Sequence, residues 1–258
     1  MQLENRRVPD VTLAMRRNGE LVHTSTRELF AGRTIVAFAL PGAFTPTCSG
    51  AHLPRFIDLA PVFRAHGADD VFCIAVNDPF VMEAWQQANA AEALTFVPDG
   101  NAELTRELGM LIDHAGKGLG MRSKRYAFIA RDGVIERAFV EPEEGGDPYT
   151  VSDADSVLAA FAPDAEVPPD VVLFTRAGCK FCIRAKHLLG ERGIPYEDVS
   201  ASLRVLRGVS GRQSTPQVFI DGRYVGGCDD LERWLAAHGS GAHPARRHDA
   251  PAPVAEAA

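Results

Sequence analysis

Two cysteines of this 258-residue chain stand where a thiol can be made reactive. Cys48 follows the loop Pro41-Gly-Ala-Phe-Thr-Pro-Thr47 at the predicted start of a helix, and Cys179 opens the turn Cys179-Lys-Phe-Cys182 between a predicted strand and a helix. A thiol at its ordinary pKa of about 8.5 is only about 3% thiolate at neutral pH, and the thiolate is the form that attacks. Free N–H groups and the positive dipole end at a helix start favour that anion. The C-x-x-C spacing puts the first sulfur at the helix N-terminus and the second one turn inside. Lys180 adds a positive neighbour to Cys179. Pro46 withholds an N–H from the loop before Cys48, where Thr45 offers a hydroxyl. A zinc ion at Cys179 and Cys182 would want a second ligand pair; only Cys228 is near, with no partner cysteine or histidine at short spacing. No metal is assigned, there or to His238, His243 and His248 near the C-terminus.

Cys73 lies within Val71-Phe-Cys-Ile-Ala-Val76, an apolar strand pattern in which a cysteine reads as a small buried hydrophobe. Five cysteines are an odd number and too sparse for a secreted disulfide framework, which points to a reducing compartment. The net charge of −7, from 34 acidic and 27 basic side chains, is spread along the chain and argues against a nucleic-acid partner. The charged N-terminus lacks the apolar run of a signal peptide and no later segment reaches membrane-spanning length, so the expected location is the cytoplasm, with no membrane partner.

The elements that must hold the two thiols form two series. In the first, Thr34–Leu40 and Val71–Val76 read as buried strands, with a helix from Cys48 to about His66 between them. Asp78-Pro79 then caps another helix, Arg125–Val140 reads as a hairpin about Asp132-Gly133, and a last helix covers 153–161. Three prolines within Ala162–Asp170 mark a stiff linker, roughly 28 Å long if its nine residues extend as polyproline II. The second series runs strand Val171–Thr175, helix Phe181–Arg192, hairpin Gln217–Val225 about Asp221-Gly222, and helix Asp229–Ala237. The fold class is therefore α/β, each domain a central mixed β-sheet flanked by helices. The expected boundaries are a first domain 1–165, a linker 166–170, a second domain 171–238 and a disordered tail 239–258.

The segment Pro41-Gly-Ala-Phe-Thr-Pro-Thr-Cys48 resembles the active-site loop of type II and type V peroxiredoxins. The likeness extends through Ser49–Pro54, Val76–Met82 and Arg122-Ser-Lys-Arg-Tyr126, and so over most of residues 1–161. It implies that Cys48 is the peroxidatic cysteine, that Pro41 shields it, that Thr45 hydrogen-bonds the peroxide, and that Arg125 supports thiolate and peroxide. His52 resembles a position near that site but reads equally as a satisfied helix residue, and it stays outside the catalytic set. Some plant type II enzymes carry a resolving cysteine near Cys73, although a strand would have to distort to bring one to Cys48. Type V enzymes carry theirs in a region where residues 141–161 here have none. The first domain therefore reads as a one-cysteine enzyme needing an outside thiol.

The second half resembles glutaredoxin in Phe174–Lys186, Ser214–Gly222 and Gly226–Leu231. That resemblance implies a thioredoxin fold, as for the first half, and a cis Thr215–Pro216 bond. It also implies a glutathione groove made by Cys179, Phe181, Thr215, Pro216, Cys228 and Asp229, with Cys228 contributing backbone. Cys179 is then the exchanging thiol and Cys182 its partner. Lys180 stands where glutaredoxins commonly have proline, which leaves the redox potential and the need for Cys182 open. Together the halves resemble bacterial hybrid peroxiredoxin–glutaredoxin proteins. The implied activity is a glutathione-dependent peroxidase acting on hydrogen peroxide and alkyl hydroperoxides, a homo-oligomer with no bound cofactor and with glutathione as reducing co-substrate. Two alternatives are an iron–sulfur cluster or electron carrier built on the glutaredoxin half, and a peroxide sensor.

Overall fold

Thr34–Leu40, with six of its seven residues buried, forms the central strand of the first half of the protein. A run apolar on both faces suits a strand covered on both sides. The computed structural model describes residues 3–142 and 147–244 and divides the chain into two compact units, the first ending at Ala165 and the second spanning Glu166–Pro244.

In the first unit Thr34–Leu40 runs parallel to Asp70–Ala75, which runs parallel to the edge strand Thr95–Pro98. On its other side it pairs antiparallel with Tyr126–Arg131, which pairs antiparallel with Val134–Val140. Asp132 and Gly133, at φ 47° and 73°, make the turn that matches strand twist in a tight hairpin. Alternate residues of the central strand face opposite layers. Ile35, Ala37 and Ala39 join Phe30, Phe72 and Phe128 on one side. On the other, Phe38 stacks on Phe56 of the helix Leu53–Ala65 at 4.0 Å between ring centroids, and Phe56 stacks on Phe63. Each such ring contributes roughly 1.5–3 kcal/mol by burial, which holds that helix, and the Cys48 segment leading into it, against the sheet.

The predicted caps are present. Asp78 Oδ1 accepts from the N–H groups of Phe80 and Val81 at the start of the helix Pro79–Ala88, and Asp153 Oδ1 accepts from Ser156 N–H at the start of Ala154–Phe161. The stretch expected as one helix from Cys48 begins instead with a wide π-type turn, Cys48–His52, closed by Leu53 N–H on the Cys48 carbonyl. Such turns widen the helix and often mark functional sites.

The second unit has the strand order Glu197–Ser200, Val171–Thr175, Gln217–Ile220, Arg223–Gly226, the first pair parallel and the others antiparallel. Its core gathers Leu173, Ala185, Leu189, Val218, Leu231 and Leu235 beneath the helices Lys180–Gly190 and Cys228–His238. Two expectations need correction. Glu166–Val167, placed in the linker, pair antiparallel with His243–Pro244, placed in the disordered tail. Asp170 and Asp221 exchange backbone contacts as well, Asp170 N–H donating to Asp221 Oδ1 and Asp221 N–H to the Asp170 carbonyl. The end of the linker and the first residues after the last helix thus satisfy each other's or the sheet's polar groups, which proline content alone does not reveal. His248 and the rest of the tail, 245–258, lie outside the described residues.

Candidate active sites

The loop that leaves the central strand at Leu40 brings Cys48 to the sheet's carboxyl end, where α/β sheets place their chemistry. The Cys48 side chain is buried. Arg125, just before the strand Tyr126–Arg131, aims its guanidinium at it: Nη1 donates to Cys48 Sγ at 3.6 Å. The same nitrogen lies 3.0 Å from His52 Nδ1, and Nη2 donates to Asp147 Oδ1 at 2.6 Å. Burial disfavours the guanidinium's charge, but Cys48 and Asp147 outweigh it and hold Arg125 above its ordinary range. Thr45 Oγ1 donates to the Gly42 carbonyl at 2.8 Å, half-buried Pro41 heads the loop, and Trp85 Nε1 donates to Ser49 Oγ at 3.1 Å. A buried sulfur beside a charged guanidinium can displace oxygen from a peroxide, because the guanidinium can take up the charge that develops on the leaving oxygen.

His52, left outside the catalytic set by sequence reasoning, is brought into contact with Arg125. Its place four residues after Cys48 in a helical stretch, on the same face, is the signal that could have found it. The ring is wholly buried, with Nε2 3.1 Å from the Ser152 carbonyl. Burial, and then the Arg125 charge, push its pKa from 6.5 down to about 3. Between those values the unfolded chain takes up a proton that the folded chain refuses, so stability rises with pH through this window and is lost as pH falls from about 6.5 towards 3. Glu141 and Asp147 are held below their ordinary values of 4.5 and 3.8, so neither adds to this slope above pH 5, and buried Asp99, pushed upward by burial, acts in the opposite sense. Urea unfolding should show a lower midpoint at pH 5 than at pH 7, and His52→Gln should flatten the difference; an unchanged slope in the variant would mean that His52 is not its source.

Cys73 is fully buried in its strand, where burial, and then the neighbouring Cys48, push its thiol well above the ordinary range. It is a free thiol at a site that suppresses ionisation.

In the second unit Cys179 caps the helix Lys180–Gly190 with its own sulfur, which accepts from Cys182 N–H at 3.3 Å and from Thr215 Oγ1 at 3.3 Å. Burial pushes this thiol up, but hydrogen bonds from the Cys182 thiol, the Thr215 hydroxyl and the N–H groups of Cys182 and Phe181 bring it below the ordinary range. Cys182, buried, is pushed the other way by burial and then by its bond to Cys179. The two thiols are thereby separated into a half-exposed one that ionises more readily and a buried one that holds its proton. The Thr215–Pro216 bond is cis. Phe181 is exposed beside Cys179, and Cys228, with its thiol pushed up by burial, begins the helix that carries Asp229. The Asp229 carboxylate is met by Arg184 at 3.1 Å. Among the described residues no group of histidine, cysteine and acidic side chains is placed to hold a metal ion, and no helix is long and apolar enough to cross a membrane.

These two centres define a thiol oxidoreductase with one sulfur held against a guanidinium and another in a C-x-x-C turn. Residues 3–158 match the Redoxin family and residues 171–225 the Glutaredoxin family. The chain is 46% identical to hybrid peroxiredoxin hyPrx5 of Haemophilus influenzae over 238 residues, covering 91% of this chain and 99% of that one. It is 45% identical to peroxiredoxin sll1621 of Synechocystis, over 63% of this chain and 92% of the relative. Reduced Prx3 from Vibrio vulnificus, solved in complex with H2O2, superposes with a TM-score of 0.59 at 43% identity, covering 62% of this chain and 99% of that one. The chain belongs to the redoxin family, as a peroxiredoxin with a C-terminal glutaredoxin domain, and its activity is that of a peroxide-reducing oxidoreductase. Both halves have the thioredoxin fold that the resemblances imply.

Proposed function

We propose that the protein reduces hydrogen peroxide and alkyl hydroperoxides at the expense of glutathione, through a relay from Cys48 to Cys179. The Cys48 thiolate attacks the terminal peroxide oxygen; the O–O bond breaks, the leaving oxygen takes a proton and departs as water or alcohol, and Cys48 becomes a sulfenic acid. Pro41 shields the thiolate, Thr45 binds the peroxide and Arg125 stabilises the charge on the leaving oxygen. Glutathione condenses with the sulfenic acid, releasing water and leaving a mixed disulfide. Cys179 attacks the glutathione sulfur, which frees Cys48, and a second glutathione then regenerates Cys179 as oxidised glutathione departs. In that exchange Phe181, Thr215, Pro216, Cys228 and Asp229 line the glutathione groove, and Cys182 stands by as the partner thiol.

The observation that carries this reading is that one chain holds both a buried sulfur 3.6 Å from a guanidinium nitrogen and a C-x-x-C thiol lowered below its ordinary range. Tethering the reductase keeps it near the millimolar effective concentration typical of short linkers, above what a separate protein would need to supply. A glutathione-rich reducing compartment, the cytoplasm, suits such a cycle, and we assign the working form to a homo-oligomer. The test is NADPH oxidation with hydrogen peroxide, glutathione and glutathione reductase. One NADPH should be consumed per peroxide in the complete mixture, with no turnover when glutathione is omitted; equal turnover with a dithiol protein reductant in its place would remove glutathione from the reading.

A further inference from the structure

The guanidinium that faces Cys48 is held from a distance. Its nitrogen donors carry protons at every accessible pH, so the histidine nitrogen 3.0 Å from Arg125 Nη1 must present a lone pair. His52 is therefore neutral, unprotonated at Nδ1, and its single N–H, on Nε2, donates to the Ser152 carbonyl. The position of that carbonyl fixes the ring, and the ring fixes one side of the guanidinium.

Ser152 is fixed in turn by one carboxylate. Glu141 Oε1 accepts from the N–H groups of Thr150, Val151 and Ser152 and from Ser152 Oγ, each at 2.8 Å, while Oε2 accepts from Thr150 Oγ1 at 2.7 Å. Glu141 is buried and its N–H donates to the Arg125 carbonyl at 3.1 Å, so the carboxylate is anchored to the backbone of the residue it serves. Burial would raise its pKa, yet these hydrogen bonds hold it below the ordinary range, so it stays an anion and an acceptor. The same segment carries two more contacts to the cluster. Asp147 takes Arg125 Nη2, and the Tyr149 ring lies 5.0 Å from the His52 ring and 6.0 Å from the Arg125 guanidinium carbon. Phe38 and Phe56 close the remaining sides of the imidazole.

We infer that Glu141 is a positioning residue for peroxide reduction: by clamping the 150–152 backbone it sets the Ser152 carbonyl, hence His52, hence the Arg125 guanidinium on the Cys48 sulfur. This rests on the reading of Cys48 as the peroxide-reducing thiol. Glu141 touches no reacting atom. Its effect passes from the clamped Ser152 through the Ser152–His52 and His52–Arg125 hydrogen bonds, and loss of comparable supporting contacts behind metal ligands costs about 10- to 100-fold in affinity or activity.

The test uses the full chain and its single-turnover reaction with hydrogen peroxide, together with alkylation of the fully ionised Cys48 thiol at high pH. Glu141→Ala should slow peroxide reduction by about 10- to 100-fold, while alkylation of the ionised thiol, which needs no guanidinium, stays within twofold. Glu141→Gln, which keeps an acceptor at Oε1, should recover much of the rate. If Glu141→Ala fails to fold, Glu141→Asp, whose shorter side chain draws the carboxylate back from the three N–H groups, and His52→Gln carry the test through a double-mutant cycle. Action through the histidine makes the double variant no slower than His52→Gln alone; independent, multiplying losses would overturn the relay. Failure of the two readings is separable. Peroxide consumption by Cys48→Ser would overturn the assignment of the thiol, whereas an inert Cys48→Ser beside wild-type rates in Glu141→Gln, Glu141→Ala and His52→Gln would overturn the positioning role alone.

Discussion

Cys48→Ser should leave no measurable peroxide turnover, and Arg125→Met, which keeps the length of the side chain but removes charge and donors, should cut the second-order rate with hydrogen peroxide by about 10²- to 10³-fold. The serine hydroxyl cannot ionise at neutral pH and has no accessible sulfenic state, so the first substitution removes the chemistry itself. The second tests electrostatics. The buried sulfur has the Arg125 nitrogen 3.6 Å away, and in a site closed to water a preorganised charge near the leaving oxygen contributes about 2.7–4 kcal/mol to the transition state. Arg125→Lys should recover little, because an ammonium cannot reach Cys48, His52 and Asp147 at once as the planar fork does. Stopped-flow rates at several pH values check this. Loss confined to the thiolate fraction would be restored by raising the pH, whereas loss of leaving-group stabilisation would persist on the alkaline plateau. An Arg125→Met enzyme that reached the wild-type rate at high pH would assign the guanidinium to the thiolate alone.

What could be read in the sequence follows from how local the physical cause is. The central strand, the Asp78 and Asp153 caps and the Asp132-Gly133 and Asp221-Gly222 turns depend on a few adjacent residues, and all are present. The strand Glu197–Ser200, reading Glu-Asp-Val-Ser, has no strand signature of its own and exists because it pairs along the edge of Val171–Thr175. Thr95–Pro98 ends in a proline and survives as an edge strand. The hairpin Thr12–Arg17 with Glu20–Ser25 turns at Asn18-Gly19, both at positive φ, and that dipeptide is a legible hairpin signal beside strands whose charged residues are Arg16, Arg17 and Glu20. The sites divide in the same way. Cys48 and Cys179 announce themselves by a loop and a helix start, but the Arg125–Cys48 contact spans 77 residues, and the Glu141 clamp depends on three successive N–H groups that no residue pattern encodes.

The second large effect separates the two halves of the relay. Cys179→Ser should abolish turnover in the glutathione-coupled assay while leaving the single-turnover reaction of Cys48 with peroxide unchanged, and adding a separate glutaredoxin should restore turnover. Cys182→Ser should keep at least about a third of the wild-type rate, because attack on a glutathione mixed disulfide needs one thiolate. The asymmetry rests on ionisation. Cys179 is half-exposed and held low by bonds from Thr215 and two backbone N–H groups, whereas Cys182 is buried and pushed up. Serine at position 182 keeps the backbone N–H on the Cys179 sulfur and puts a hydroxyl donor in place of the thiol, so the Cys179 thiolate stays supported and the residual rate reports turnover without a partner able to form a disulfide. If Cys182→Ser were as dead as Cys179→Ser, the pair would be working as a dithiol that closes to a disulfide in each cycle, and glutathione would be reducing that disulfide in place of the mixed disulfide on Cys179. Full activity in Cys179→Ser would instead mean that glutathione reduces Cys48 directly and that the second unit has another task.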